Sequence, residues 1–147
     1  MPQLAENRRA RYDYEILETF DAGIELSGHE AKSAKLGNPS VAGGHGIIRG
    51  GEAYLVGVEL PSFQPQNAPD SYDPARVRKL LLKRDEIQYL TGKLQEQLTL
   101  IPLSLYTERG LVKVKLGLGK GRKKRDRREY LKKRQAQREI EQHTKRG

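Results

Sequence analysis

Apolar and polar positions alternate along much of residues 1–118, the period of strands that bury one face. In Tyr12-Asp13-Tyr14-Glu15-Ile16 the apolar and aromatic residues alternate with acids, and Ile24-Glu25-Leu26 resumes the pattern. Between them, Asp21-Ala22-Gly23 reads as a turn. Residues 52–58 place Tyr54, Val56 and Val58 on one face. Residues 99–106 place Ile101, Leu103 and Leu105 on one side, and Pro102, with no N–H to donate, predicts an edge or a bulge. Residues 111–118 turn Val112, Val114, Leu116 and Leu118 inward and Lys113 and Lys115 outward. Gly43-Gly44 and Gly50-Gly51 bracket a further short strand.

Two helices interrupt the strands. Ser27-Gly28-His29-Glu30 has the spacing of a capping box, in which serine and glutamate satisfy each other's free backbone N–H groups, and predicts a short helix through Ala34 that ends near Gly37. A second helix is expected from Asp85, with Gln88 as its capping partner and with Ile87, Leu90 and Leu94 on one face. Residues 67–74 form a Pro/Asp/Ser-rich loop, expected to be mobile. Several short antiparallel strands with one or two small helices predict a closed or nearly closed barrel, because closure removes exposed edges.

Charge divides the chain in a way that hydropathy does not. The formal net charge is +9 and the pI about 9.8. Of the 28 Lys/Arg and 19 Asp/Glu, 13 and 4 fall in residues 119–147, which leaves 15 of each in residues 1–118. The expected organisation is therefore a neutral body, residues 1–118, and a basic tail, residues 119–147, that holds the whole excess. Such a block suits polyanions, since neutralising phosphates releases condensed counterions. The tail has helix formers but no continuous apolar stripe, so it is expected to be disordered or frayed alone and to order on RNA. Gly117, Gly119 and Gly121 are expected to loosen the exit from the last strand.

Catalytic chemistry has little support. The three histidines, His29, His45 and His143, have no metal-ligand spacing, and the absence of cysteine excludes disulfides and thiolate metal sites. Gly117-Leu118-Gly119-Lys120-Gly121 lacks the spacing and following hydroxyl of a phosphate-binding loop, and no serine sits in a nucleophile elbow. No cofactor and no catalytic residue is expected. The start of the chain lacks an apolar run after a basic region, and no stretch approaches the roughly 18 apolar residues of a membrane span, so a cytoplasmic monomer with no membrane partner is expected.

Five ordered blocks resemble the SsrA-binding protein (small protein B) family, the partner of transfer-messenger RNA. They are Asn7-Arg8-Arg9-Ala10-Arg11-Tyr12, Gly28-His29-Glu30-Ala31-Lys32-Ser33, the run from Asp73-Pro74 to Leu82, Ile101-Pro102-Leu103-Ser104-Leu105-Tyr106, and the run from Gly119-Lys120 to Arg127-Arg128. The resemblance implies an OB-like antiparallel β-barrel with two or three short flanking helices. It also implies trans-translation, in which the protein carries transfer-messenger RNA to stalled ribosomes. The body would grip the tRNA-like domain, and the tail would enter the empty mRNA channel and reach the decoding centre of 16S rRNA.

Carried over by position, Asn7, Glu30, Lys32 and Ser33 match family positions associated with the tRNA-like domain. Lys32 and Lys35 also read as exposed helix charges. Glu30 is unusual, because an acid beside phosphate is repulsive: it either accepts from base amino groups or ribose hydroxyls, orients a neighbouring base-reading side chain, or simply caps its helix. Arg76, Arg78 and Lys79 would clamp phosphate, or are solvated strand-end charges. In the tail, Lys120, Arg122, Lys123 and Lys124 would neutralise phosphate. Asp126-Arg127-Arg128 resembles the family's Asp-Lys-Arg, with Arg127 replacing lysine. Arg125 stands where the family commonly has histidine or an aromatic; its guanidinium plane can stack on a base but cannot titrate like histidine. The bare charge pattern also fits a structural ribosomal protein with a basic extension, or an RNA-processing enzyme on an OB-like core.

This division of charge predicts two salt dependences. Binding through the body is expected to give a shallow slope in a plot of log affinity against log salt, and binding through the tail a steep one, as RNA titrations over a range of salt would show.

Overall fold

The structure is a computed structural model that describes residues 2–146, and side chains for residues 2–142. Among the described residues, seven strands form one antiparallel sheet: β1 (Gln3–Glu6), β2 (Tyr14–Ile24), β3 (His45–Arg49), β4 (Glu52–Val56), β5 (Arg78–Leu81), β6 (Thr99–Glu108) and β7 (Leu111–Gly121). The helices are α1 (Ala10–Asp13), α2 (Gly28–Leu36), α3 (Arg84–Gln95) and α4 (Lys124–Arg146), with a 3-10 turn at Pro65–Asn67. The strand order is β1-β6-β3-β4-β5-β2-β7, and β7 also pairs with β6, so the pairings return on themselves.

The main core lies on one face of this ring. Val112, Val114, Leu116 and Leu118 of β7 point into it, as their alternation predicts, with Lys113 and Lys115 turned outward. Leu90 of α3 is sealed in the core, with Ile87 and Leu94 against it, and Ala34 brings in α2. A smaller cluster of Ala10, Ile101 and Leu103, with Tyr14 and Ile16 against it, packs separately. The two clusters explain Pro102. The register of β6 against β7 shifts between Pro102 and Ser104, so Leu100 and Leu105 both reach the main core although they are an odd number of positions apart.

Several local expectations are corrected. Tyr12 and Asp13 belong to α1, and the strand starts at Tyr14. Asp21-Ala22-Gly23 is no turn: these residues stay in β2 opposite Lys115, Val114 and Lys113. Gly23 is where β2 also takes β5 as a partner, and an added Cβ there would lie 3.3 Å from Leu81. In β4 the buried face is Ala53 and Leu55, not Tyr54 and Val56. Gly57, at φ 75°, breaks the alternation and returns Val58 to the core. The α3 cap lies two residues earlier than expected: the Lys83 N–H donates to Glu86 Oε1 at 3.0 Å, while Asp85 and Gln88 form no box. Lysine has no acceptor, so only half of a capping box forms.

The glycines of β7 do not loosen it. Gly117 and Gly119 are buried in mid-strand on the side away from the main core. A Cβ on Gly117 would meet Ile16 and Leu103 at 3.1 Å, and one on Gly119 would meet Ile101 and Tyr14 at 3.0 Å. These residues belong to β2 and β6, the two neighbours of β7, so the side chains of both neighbours close over a track that only glycine leaves open. Gly119→Val is expected to cost about 1–3 kcal/mol of stability by overpacking. The same change at Gly121, where an added Cβ meets nothing within 4 Å, is expected to be tolerated. Chemical denaturation of the two variants checks the contrast.

Candidate nucleic-acid interface

The predicted capping box forms at the start of α2. Ser27 Oγ accepts from the Glu30 N–H at 3.2 Å, and Glu30 Oε1 accepts from the Ser27 N–H at 2.9 Å. The cap also aims the Glu30 carboxylate at β5 and the segment before it. Oε1 accepts from Arg76 Nη2 at 2.6 Å, and Oε2 accepts from Arg76 Nε at 3.1 Å and Arg78 Nε at 2.8 Å. Arg78 then donates to Val58 O at 3.1 Å and Pro74 O at 3.0 Å. Glu30 and Arg78 are buried, at 3% and 1% exposure, while the Arg76 side chain is 47% exposed. Burial alone would raise the Glu30 pKa, but hydrogen bonds from Arg76, the Ser27 backbone and Arg78, with the Arg78 charge, outweigh it and hold the carboxyl at about 2.

The other body residues are less closely gathered. Ser33 is buried, and its Oγ accepts from the Phe63 N–H at 3.2 Å. Asn7 lies elsewhere, buried, with Nδ2 donating to Pro102 O at 3.0 Å. Lys35 donates to Gly110 O at 2.7 Å, in the β6–β7 turn. Lys79, one residue on from Arg78, turns to the opposite face and pairs with Glu52 at 3.1 Å, which raises its pKa. Lys32 is exposed and has no ion-pair partner among the described residues. The structure therefore unites Glu30, Arg76 and Arg78, with Ser33 beside them on α2, and leaves Asn7, Lys35 and Lys79 apart.

Sequence reasoning missed the aromatic wall beside this cluster. His29 lies 4.9 Å from the Phe63 ring and 4.8 Å from the Tyr72 ring, centroid to centroid, and its Nε2 is 2.8 Å from Ser62 Oγ. The Tyr72 hydroxyl donates to Leu60 O. A hollow of about 330 Å³ opens between Tyr72, His29, Asp73 and Arg76. No periodicity links these segments; the loop's prolines hid its ordered contacts.

The tail leaves the sheet under tension between tethering and exposure. Lys120 and Gly121 still pair, with Glu15 and Tyr14. The Arg122 N–H donates to Asp13 O at 2.8 Å and its Nε to Arg11 O at 3.0 Å, and its guanidinium lies 4.6 Å from the Tyr130 ring. Arg127 sits 3.8 Å from Asp13 Oδ1 and 5.7 Å from the Tyr12 ring centroid, with its Nε buried. These contacts fix the first turns of α4 against α1. Lys123 N–H donates to Asp126 Oδ2 at 3.3 Å, an N-terminal cap, and Arg125 pairs with Glu129 at 3.6 Å. The segment expected to fray without RNA is thus helical here, because tethering supplies the nucleus that its polar surface cannot. Lys123, Lys124, Arg125 and Arg128 are exposed, and so is every residue from Leu131 to Gln142. Facing the body across a cleft of about 750 Å³, Arg134 and Arg138 look towards Arg8, Arg11 and Lys115, a second cationic surface the sequence reading did not single out.

Among the described residues, no group of three or more His, Asp or Glu could hold a metal ion, and no helix is long and apolar enough to cross a membrane. An antiparallel sheet whose pairings close on themselves, with buried charge at one side and a cationic helix exposed from Leu131 to Gln142, defines a module suited to polyanions. The chain belongs to the SmpB protein family, whose model matches residues 4–146. It is 48% identical over 143 residues to the SsrA-binding protein of Nostoc punctiforme, a match that covers 97% of this chain and 92% of that one. With the SsrA-binding protein of Synechococcus elongatus it shares 47% identity over 145 residues, 98% and 94% of the two chains. A solved structure described as "tmRNA-SmpB: a journey to the center of the bacterial ribosome" contains a chain 43% identical to this one; it superposes with a TM-score of 0.65 and covers 89% of this chain and 95% of its own.

The buried carboxylate has a pH signature. Held ionised below its ordinary value of 4.5, Glu30 contributes stability that is complete above about pH 4.5 and is lost as pH falls towards 2. Urea denaturation of the wild type and Glu30→Gln is expected to show a stability gap that is constant from pH 7 to 5 and closes across that acidic window.

Proposed function

We propose that this chain binds the tRNA-like domain of transfer-messenger RNA and delivers it to stalled ribosomes, where its tail occupies the empty mRNA channel. The observation that carries this reading is the 43% identity with the ribosome-associated tmRNA-SmpB chain across 89% of the sequence. The names of the curated relatives agree with it. The ring of pairings β6-β3-β4-β5-β2-β7 supports an OB-like barrel as the body's architecture.

The division of labour follows the division of charge. Residues 1–118 select the RNA, and residues 119–147 read the ribosome. In the tail, Lys120, Lys123, Lys124 and Arg128 neutralise rRNA phosphate in the decoding centre, and Arg125 offers a flat guanidinium for stacking. Arg122, Asp126 and Arg127 set the tail's direction, since their contacts are with the body and with the helix start. The protein acts as a cytoplasmic monomer and performs no chemistry itself; peptide transfer and tag translation belong to the ribosome and the RNA.

The tail test needs a cut that spares the sheet. Because β7 extends to Gly121 and Arg122 is tied to α1, removal of residues 123–147 leaves the body's hydrogen bonds intact. That truncation is expected to retain binding to the tRNA-like RNA within about threefold, less than 1 kcal/mol, and to abolish tagging on stalled ribosomes. Loss of RNA binding together with the tail would sink the two-part reading.

A further inference from the structure

The carboxylate of Glu30 has no capacity left for an outside ligand. Its two oxygens already accept four N–H groups, from the Ser27 backbone, from Arg76 twice and from Arg78. A carboxylate offers about four lone-pair sites, so this one is saturated. It is also buried, and a base amino group or ribose hydroxyl could reach it only by displacing a guanidinium. Arg78 is equally closed: it is sealed from solvent, and its three nitrogens serve Glu30, Val58 O and Pro74 O.

Arg76 differs. Nε and Nη2 grip the two carboxylate oxygens as a fork, Nη2 also reaches Glu25 O at 3.4 Å, and Nη1 makes one long bond to Val77 O at 3.3 Å. One Nη1 hydrogen has no acceptor among the described residues, the side chain is 47% exposed, and Arg76 lines the hollow beside Tyr72. Charge points the same way. Two guanidinium ions share one carboxylate, so the cluster keeps a net +1, and Arg76 is its only exposed cation. Asp73 and Glu25 pull on this charge, yet neither is within ion-pair distance among the described residues, and Asp73 Oδ1 accepts from the Ala75 N–H.

Resting on the function proposed above, we infer that Arg76 is the member of this cluster that contacts RNA, through a backbone phosphate, and that Glu30 and Arg78 are positioning residues that never touch it. A guanidinium locked in a fork has little side-chain freedom left to lose on binding, which is what a contact on a folded RNA needs. The arrangement also accounts for an acid at an RNA-facing position. Its charge is spent inside the protein, and the RNA meets only the arginine in front of it.

A double-mutant cycle on the full chain tests this, with the isolated tRNA-like domain RNA as the probe and thermal melting as the fold control. Arg76→Ala, at a half-exposed side chain, is expected to weaken binding about tenfold or more and to reduce the salt slope by about one. Glu30→Gln is expected to weaken binding in the wild type and to add nothing in the Arg76→Ala background. Losses that multiply in the double variant would overturn the inference, since Glu30 would then meet RNA on its own account. Unchanged affinity in Arg76→Ala would overturn it whether or not Glu30→Gln folds. If the wild type fails to bind this RNA at all, the proposed function falls and takes this inference with it; failure of the variants alone removes only the inference.

Discussion

Strand β7 has to be paired along both edges at once, and the rest of the molecule depends on that. Its neighbours β2 and β6 are far apart in sequence, and each brings large side chains across the outer side of β7: Tyr14 and Ile16 from one, Ile101 and Leu103 from the other. Both sets fit only because Gly117 and Gly119 have nothing to put there. The inner side of the same strand carries Val112, Val114, Leu116 and Leu118, so one stretch of chain is at once the spine of the core and the groove that lets its neighbours meet. Closure then fixes where α1 lies, and α1 is the platform on which the basic helix starts.

Buried charge is the second constraint. A lone ionised carboxylate in the interior would cost several kcal/mol and would protonate instead. Glu30 stays ionised because α2, β5 and the preceding loop deliver four donors to it together. That requirement ties the start of α2 to β5 and to the loop before it, where Pro74 O accepts from Arg78 and Asp73 closes a turn on Ala75. The charged surface therefore rests on a polar core of its own, distinct from the apolar one.

What the sequence made legible was local. The Ser27–Glu30 box, the alternation in β7 and the bulge at Pro102 each depend on neighbours a few residues away, and each is present. The misreadings share a cause. Gly57 at positive φ breaks the alternation between β4 and Val58, and Gly23 looked like a turn because nothing nearby shows that β2 takes a second partner there. At the site, motif resemblance located Glu30, Arg76 and Arg78 but not their relation, since the bonds span 46 and 48 residues. Nor could it find the wall of His29, Phe63 and Tyr72, which three separate segments build. The tail's helicity was hidden for a related reason: its support comes from Tyr12 and Asp13, more than a hundred positions earlier.

The long reach of these pairings has a consequence for how the protein comes into being. Gln3 lies opposite Tyr106 and Tyr14 opposite Gly121, so β1 and β2 find their partners about a hundred positions later. During synthesis β2 has an unpaired edge until β7 has emerged, and no early subset of strands can close the sheet. Such non-local topologies fold slowly, in about milliseconds to seconds, because loop-closure entropy is spent before the contacts that repay it form. Closure of the sheet therefore waits for β7, and a copy of this protein cut short before Leu111 would be left with open strand edges and without the four β7 side chains of the core.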